Sequence, residues 1–134
     1  MATTTIEDLP LEQKRASGRS HIIDAVHMPW QPGPFPGVEV KVLYKDDAGM
    51  STMLVKIAPG GKIPLHEHVD LEQSYVLEGS LEDHDGAVTA GNFCWRDPGS
   101  IHVAHAPNGA LVLAFFTKPN RFYSDAPHLA DYKS

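Results

Sequence analysis

The stretch that decides the fold is Pro64–Gly79, "PLHEHVDLEQSYVLEG". It carries two histidines one residue apart, His66 and His68, then Glu72, then the strand-forming run Ser74-Tyr75-Val76-Leu77. On a β-strand, residues i and i+2 point to the same side, roughly 6.5–7 Å apart along the chain. Both imidazoles can then face one ion. On a helix the same spacing would send them to diverging faces. The preceding "PGGKIP" (59–64) reads as a turn, and its prolines exclude a helix. Glu72 follows the bend Val69-Asp70-Leu71 and opens the next strand, so its carboxylate can return to the same pocket. His102, in "DPGSIH" at the start of a later strand, is the candidate third imidazole. Singly, each of these residues is ordinary; the spaced set is what points to a metal. Two or three imidazoles with one carboxylate suit Fe(II), Mn(II), Ni(II), Co(II) or Zn(II) and select poorly among them. With open positions such a centre can bind oxygen or a chelating substrate.

Strand signals surround this stretch. "VEVKVLYK" (38–45) alternates Val38, Val40 and Val42 with Glu39, Lys41 and Leu43, the period of a strand with one buried face. "MSTMLVKIA", "SYVLEGSLED", "NFCWR", "IHVAHA" and "ALVLAFFT" read as further strands, with "DDAG", "HDGAVTAG", "DPGS" and "PNG" as turns. Strands at this spacing, with no long amphipathic helix in competition, predict an all-β sandwich or barrel. "QPGPFPG" (31–37) reads as an irregular loop, and "TIEDLPLEQKRA" as at most a turn or short helix in which Thr5 caps and Asp8 stands at N3. Residues 1–37 are therefore expected to form an arm and loop, 38–117 the barrel, and 118–134 a tail packing on it.

At 134 residues the chain has the size of one domain. Its net charge is −6 and no Lys/Arg block exceeds Lys14-Arg15, which argues against a nucleic-acid surface and an anionic-membrane anchor. One cysteine, Cys94, can form neither an internal disulfide nor a Cys-rich zinc site. The polar N-terminus has no secretory apolar region and no apolar run spans a membrane, so the cytoplasm is the expected compartment.

The residues quoted above resemble the cupin superfamily. Its first motif, Gly-x5-His-x-His-x3/4-Glu-x6-Gly, is met by Gly60, His66, His68, Glu72 and Gly79. Its second, Gly-x5-Pro-x-Gly-x2-His-x3-Asn, is met by Gly91, Gly99 and His102; Asp97 stands where Pro is expected, with Pro98 one place later, and Ala106 replaces the Asn. The resemblance implies a small jelly-roll β-barrel (a double-stranded β-helix) with a short N-terminal extension, and a single divalent transition-metal ion on His66, His68, Glu72 and His102. Many cupins leave four residues before the Glu, which would select Gln73. Adjacent strand residues face opposite sides, and counting back from Gly79 favours Glu72. The chain is most similar to the cupin domains of anti-sigma factors, sharing the three-residue gap before Glu72. It is more weakly similar to acetylacetone and dihydroxyacetophenone dioxygenases, small Fe(II) cupins that cut a C–C bond beside a carbonyl.

Two classes of function follow. The first is an Fe(II)-dependent dioxygenase acting on a small dicarbonyl or hydroxyketone, or a redox-silent isomerase or lyase with Zn or Mn; Ni is a further possible ion. The second is a metal-binding sensing or regulatory module without catalysis. Outside the ligand set, His105 is sent to the opposite face, His84 and Asp85 sit in a solvated turn, and Cys94 reads as a buried small hydrophobe. Phe93, Trp95, Phe115 and Phe116 read as core aromatics. Arg96 and Arg121 read as surface charges with a secondary option of holding an acidic substrate. Apolar residues expected on outer strand faces (Leu43, Leu54, Tyr75, Leu77) predict a homodimer.

Overall fold

The computed structural model describes residues 4–16 and 18–123. A 3₁₀ turn, Ile6–Asp8, and one short helix, α1 (Leu11–Ala16), precede ten strands: β1 (Gln31–Pro32), β2 (Val38–Lys45), β3 (Ser51–Ile57), β4 (Gly61–Glu67), β5 (Glu72–Asp83), β6 (Gly86–Thr89), β7 (Phe93–Arg96), β8 (Ile101–Ala106), β9 (Ala110–Phe116) and β10 (Arg121–Phe122). The strands run β1-β2-β3-β9-β5-β8-β4-β10, with β6 and β7 also on β5, and every pairing is antiparallel. This is an all-β barrel. Among the described residues no helix is long and apolar enough to cross a membrane.

The long strand β5 turns the corner that closes the barrel. Its first half pairs with β9 and β7, its second with β6 and β8. Gly79 sits at the corner with φ 72°, a left-handed conformation that side chains disfavour. A Cβ there would also collide with the carbonyl oxygen of Gly109.

The inward faces follow the period-2 pattern. Met53, Val55 and Ile57 on β3 meet Val38 and Val40 on β2 and Val112 on β9, all buried. Alanines take the facing positions on β8 and β9, among them Ala104 and Ala114. Their small volume leaves room inside the barrel on the side where the histidines lie.

Four stretches differ from the sequence reading. Residues 61–64, expected in a turn, begin β4; the turn itself is confined to Pro59-Gly60, and the irregularity that Pro64 imposes is absorbed by a register shift between Ile63 and His66. Part of "HDGAVTAG" forms β6. Gln31–Pro32 and Arg121–Phe122 add two-residue strands on either side of 38–117. Phe93, Trp95 and Phe115 are exposed, not in the core, whereas Phe116 packs against it. Alternation fixes that residues i and i+2 share a face but not which face is inside. Leu43 and Leu54 are half-buried on the outer side, with Tyr75 and Leu77 exposed. The expected packing of the tail beyond residue 123 lies outside the described residues.

Candidate metal centre

His66 and His102 are directly opposite each other on β4 and β8. His68 follows two residues after His66, held by the turn between β7 and β8: its N–H donates to Ser100 O at 2.9 Å and its carbonyl accepts from Gly99 N–H at 2.7 Å. All three imidazoles are buried, and their ring nitrogens gather in one cluster. The Nε2 atoms of His68 and His102, and of His102 and His66, lie 3.0 Å apart.

The other ring nitrogens decide what these contacts mean. His66 Nδ1 lies 2.7 Å from Pro64 O, and a carbonyl only accepts, so Nδ1 carries the proton. His102 Nδ1 lies 2.7 Å from Asp83 Oδ2, which assigns its proton in the same way. In the neutral rings both Nε2 atoms therefore present lone pairs to each other at 3.0 Å. That contact is repulsive unless a cation is shared. Two nitrogens bound at about 2.1 Å, a right angle apart, are separated by about 3.0 Å. The cluster thus fits a divalent transition metal on chemistry and on spacing.

Glu72 opens β5 facing inward, while Gln73 is exposed. Its carboxylate stands beside the three-nitrogen cluster and is not one of the gathered ligand atoms. Oε2 lies 2.9 Å from His68 Nδ1, off the line of the N–H, so that buried nitrogen has an anionic neighbour but no aligned partner. Oε2 also accepts from Asn120 Nδ2 at 3.4 Å, and Oε1 from Ser74 Oγ at 3.1 Å and Arg96 Nη1 at 3.2 Å.

Burial sets the electrostatics. Desolvation lowers the His66 pKa to about 4, so the imidazole is neutral and ready to ligate at neutral pH. Desolvation pushes Glu72 upward, but the His68 contact and the Arg96 charge outweigh it and hold the carboxyl at about 2. Asp83 is likewise raised by burial and lowered more by His102, the Asp85 N–H and Arg96, with a net shift downward. His102 is lowered by burial and then by Arg96.

Two members of this arrangement were not legible in the sequence. Asp83, at the far end of β5, orients His102. Arg96, expected at the surface, is only 10% exposed and meets both Glu72 and Asp83. Their one signal is the strand pairing itself, which sets Arg96 opposite Glu72. The remaining candidates stay apart. His84 and Asp85 are exposed, His105 is half-buried on the other face of β8, and Arg121 is exposed near Glu67. Cys94 is half-buried with its thiol 3.3 Å from Arg96 Nη1, and burial raises its pKa.

The profile of the ChrR Cupin-like domain matches residues 19–121, most of the chain. The chain belongs to this cupin family. No curated protein matches this chain. Among solved structures, an RmlC-like cupin protein from Ralstonia eutropha JMP134 is 19% identical, covering 87% of this chain and 77% of its own, with a TM-score of 0.73. An acetylacetone dioxygenase from Acinetobacter johnsonii is 16% identical, covering 81% of this chain and 80% of its own, TM-score 0.71. The complex of Rhodobacter sphaeroides SigE with the anti-sigma ChrR contains a match at 24% identity over 69% of this chain and 50% of that one, TM-score 0.61. At these identities the structural likeness establishes a cupin-like fold and nothing finer.

Proposed function

We propose that the chain is a metal-dependent dioxygenase that cleaves a C–C bond of a small dicarbonyl or hydroxyketone. The observation that carries this reading is a cavity of ≈ 40 Å³ against the imidazole cluster. That is about three times the ~10–15 Å³ that one water needs. His66, His102 and Glu72 form its polar end, and Val55, Ile63, Val112 and Phe116 its apolar walls. A purely structural ion needs no such space beside it.

His66, His68 and His102 would hold one divalent transition-metal ion, with Glu72 as the adjacent carboxylate. When bound, the ion supplies Lewis acidity toward an enolate and, as Fe(II), redox chemistry toward oxygen; Zn(II), with a filled d shell, would supply only the former. Pro64 O and Asp83 keep the imidazole protons on Nδ1, away from the cluster. The apolar walls exclude water and accept the alkyl or aryl part of a substrate. Glu72, held at about 2, is a fixed negative charge and a poor general base at neutral pH, so the substrate is expected to enter as its enolate.

Membership in the ChrR-like family supports a second reading, a metal-binding regulatory module. One experiment separates them. The chelator-stripped protein is reloaded with Fe(II) and oxygen uptake is followed with β-diketones and aryl hydroxyketones. Uptake that matches substrate loss supports the dioxygenase. A stably bound ion without uptake, for any metal or substrate, favours the regulatory module.

We further propose that two copies pair through the outer sheet face, where Tyr75, Leu77, Phe93, Trp95 and Phe115 are all exposed on neighbouring strands.

A further inference from the structure

We propose that Arg96 is a positioning residue for the imidazole cluster, tying the carboxylate beside His68 to the carboxylate that holds His102. The inference rests on the metal reading above. Arg96 ends β7 opposite Glu72, and its side chain is 10% exposed. One arm of the guanidinium, Nη1, lies 3.2 Å from Glu72 Oε1; the other, Nη2, lies 3.6 Å from Asp83 Oδ2. Glu72 reaches His68 Nδ1 at 2.9 Å and Asp83 reaches His102 Nδ1 at 2.7 Å. A continuous chain of contacts therefore runs His68–Glu72–Arg96–Asp83–His102, with Arg96 at its centre.

Two largely buried carboxylates that share one neighbourhood repel, and each would otherwise draw its imidazole along with it. The planar fork of arginine neutralises both and fixes the distance between them. Cys94 Sγ, 3.3 Å from Nη1, adds a third contact that restrains the fork. Lysine carries the charge but not the fork, so it can serve one carboxylate well and not both. Arg96 thus acts on the ion's ligands through their outer partners, and its loss should loosen two imidazoles together.

The test uses the full chain, stripped with a chelator and reloaded with Co(II), whose visible absorption reports ligand geometry. Arg96→Gln should bind Co(II) about 10–100-fold more weakly than wild type, the usual cost of losing an outer-partner contact, and with altered band positions and intensities. Arg96→Lys should recover part of the affinity while keeping the altered spectrum. A residue that merely supports the fold would lower the melting temperature and leave the Co(II) spectrum of the folded protein unchanged; that result overturns the proposal. If Arg96→Gln fails to fold, Arg96→Lys decides: wild-type affinity and spectrum there overturn it equally. Wild-type protein that is folded but binds no Co(II) defeats the metal reading and this inference with it. Wild-type binding matched by both variants defeats this inference alone.

Discussion

Asp83→Asn probes whether the proton on His102 is held where the metal reading requires it. Asp83 uses both oxygens: Oδ2 lies 2.7 Å from His102 Nδ1, and Oδ1 accepts the Asp85 N–H at 2.8 Å. Asparagine offers one acceptor and one NH₂. With its oxygen toward His102, the NH₂ confronts the Asp85 N–H. With its oxygen toward Asp85, the NH₂ faces His102 Nδ1, which can accept only by moving its proton to Nε2 and so losing the lone pair that faces His66. In the better arrangement a charged hydrogen bond, contributing about 1.5–3 kcal/mol, becomes a neutral one contributing about 0.5–1.5 kcal/mol. The loss of about 1–2 kcal/mol corresponds to metal binding about 5–30-fold weaker, near the lower end of what outer partners of metal-bound histidines usually contribute. The assay is competition for Zn(II) or Co(II) against a chromophoric chelator near neutral pH. Asp85→Asn is the control, because that exposed carboxylate pairs with the exposed His84 and not with the imidazole cluster. An affinity for Asp83→Asn within about twofold of wild type would refute the reasoning, since the orienting bond would then contribute nothing measurable.

Three further outcomes follow. Burial lowers His66 from 6.5 to about 4, so between those values the unfolded chain takes up a proton that the folded chain refuses. Metal-free protein should therefore lose about 3 kcal/mol of stability as pH falls through that window; urea melts give the comparison, and a flat profile from pH 7 to about 5 contradicts it. Gly79→Ala, with φ 72° and a blocked Cβ position, should destabilise by at least about 2–3 kcal/mol in thermal melts; an unchanged melting temperature would contradict the corner assignment. Light scattering at micromolar concentration should give a dimer mass that Tyr75→Glu reduces to monomer, whereas a monomeric wild type removes the proposed interface.

Much of the fold could be read from the sequence because alternation is a strong signal. β2, β3, β8 and β9 carry it over six to eight residues each. The start of β4 was hidden because Gly61 and Pro64 are residues a strand ordinarily avoids. β6 has only four residues and begins on a glycine. That His66, His68 and Glu72 come together was legible because they lie close in sequence with spacings that strand geometry makes meaningful. Arg96 and Asp83 were not. The bend at Gly79 brings both ends of β5 to one guanidinium, and periodicity does not report a bend. The same limit explains the aromatics: Phe93 and Trp95 share one face of β7, but the inward face belongs to Cys94 and Arg96, so the expectation of core packing fails for them.

The central claim is that His66, His68 and His102 turn their Nε2 lone pairs on one divalent ion. X-ray absorption on the metal-loaded protein measures this directly by counting imidazole scatterers around the metal. The account predicts three imidazoles at about 2.1 Å in wild type and two in His66→Ala. A wild-type spectrum without imidazole scattering, or one unchanged by His66→Ala, would contradict it.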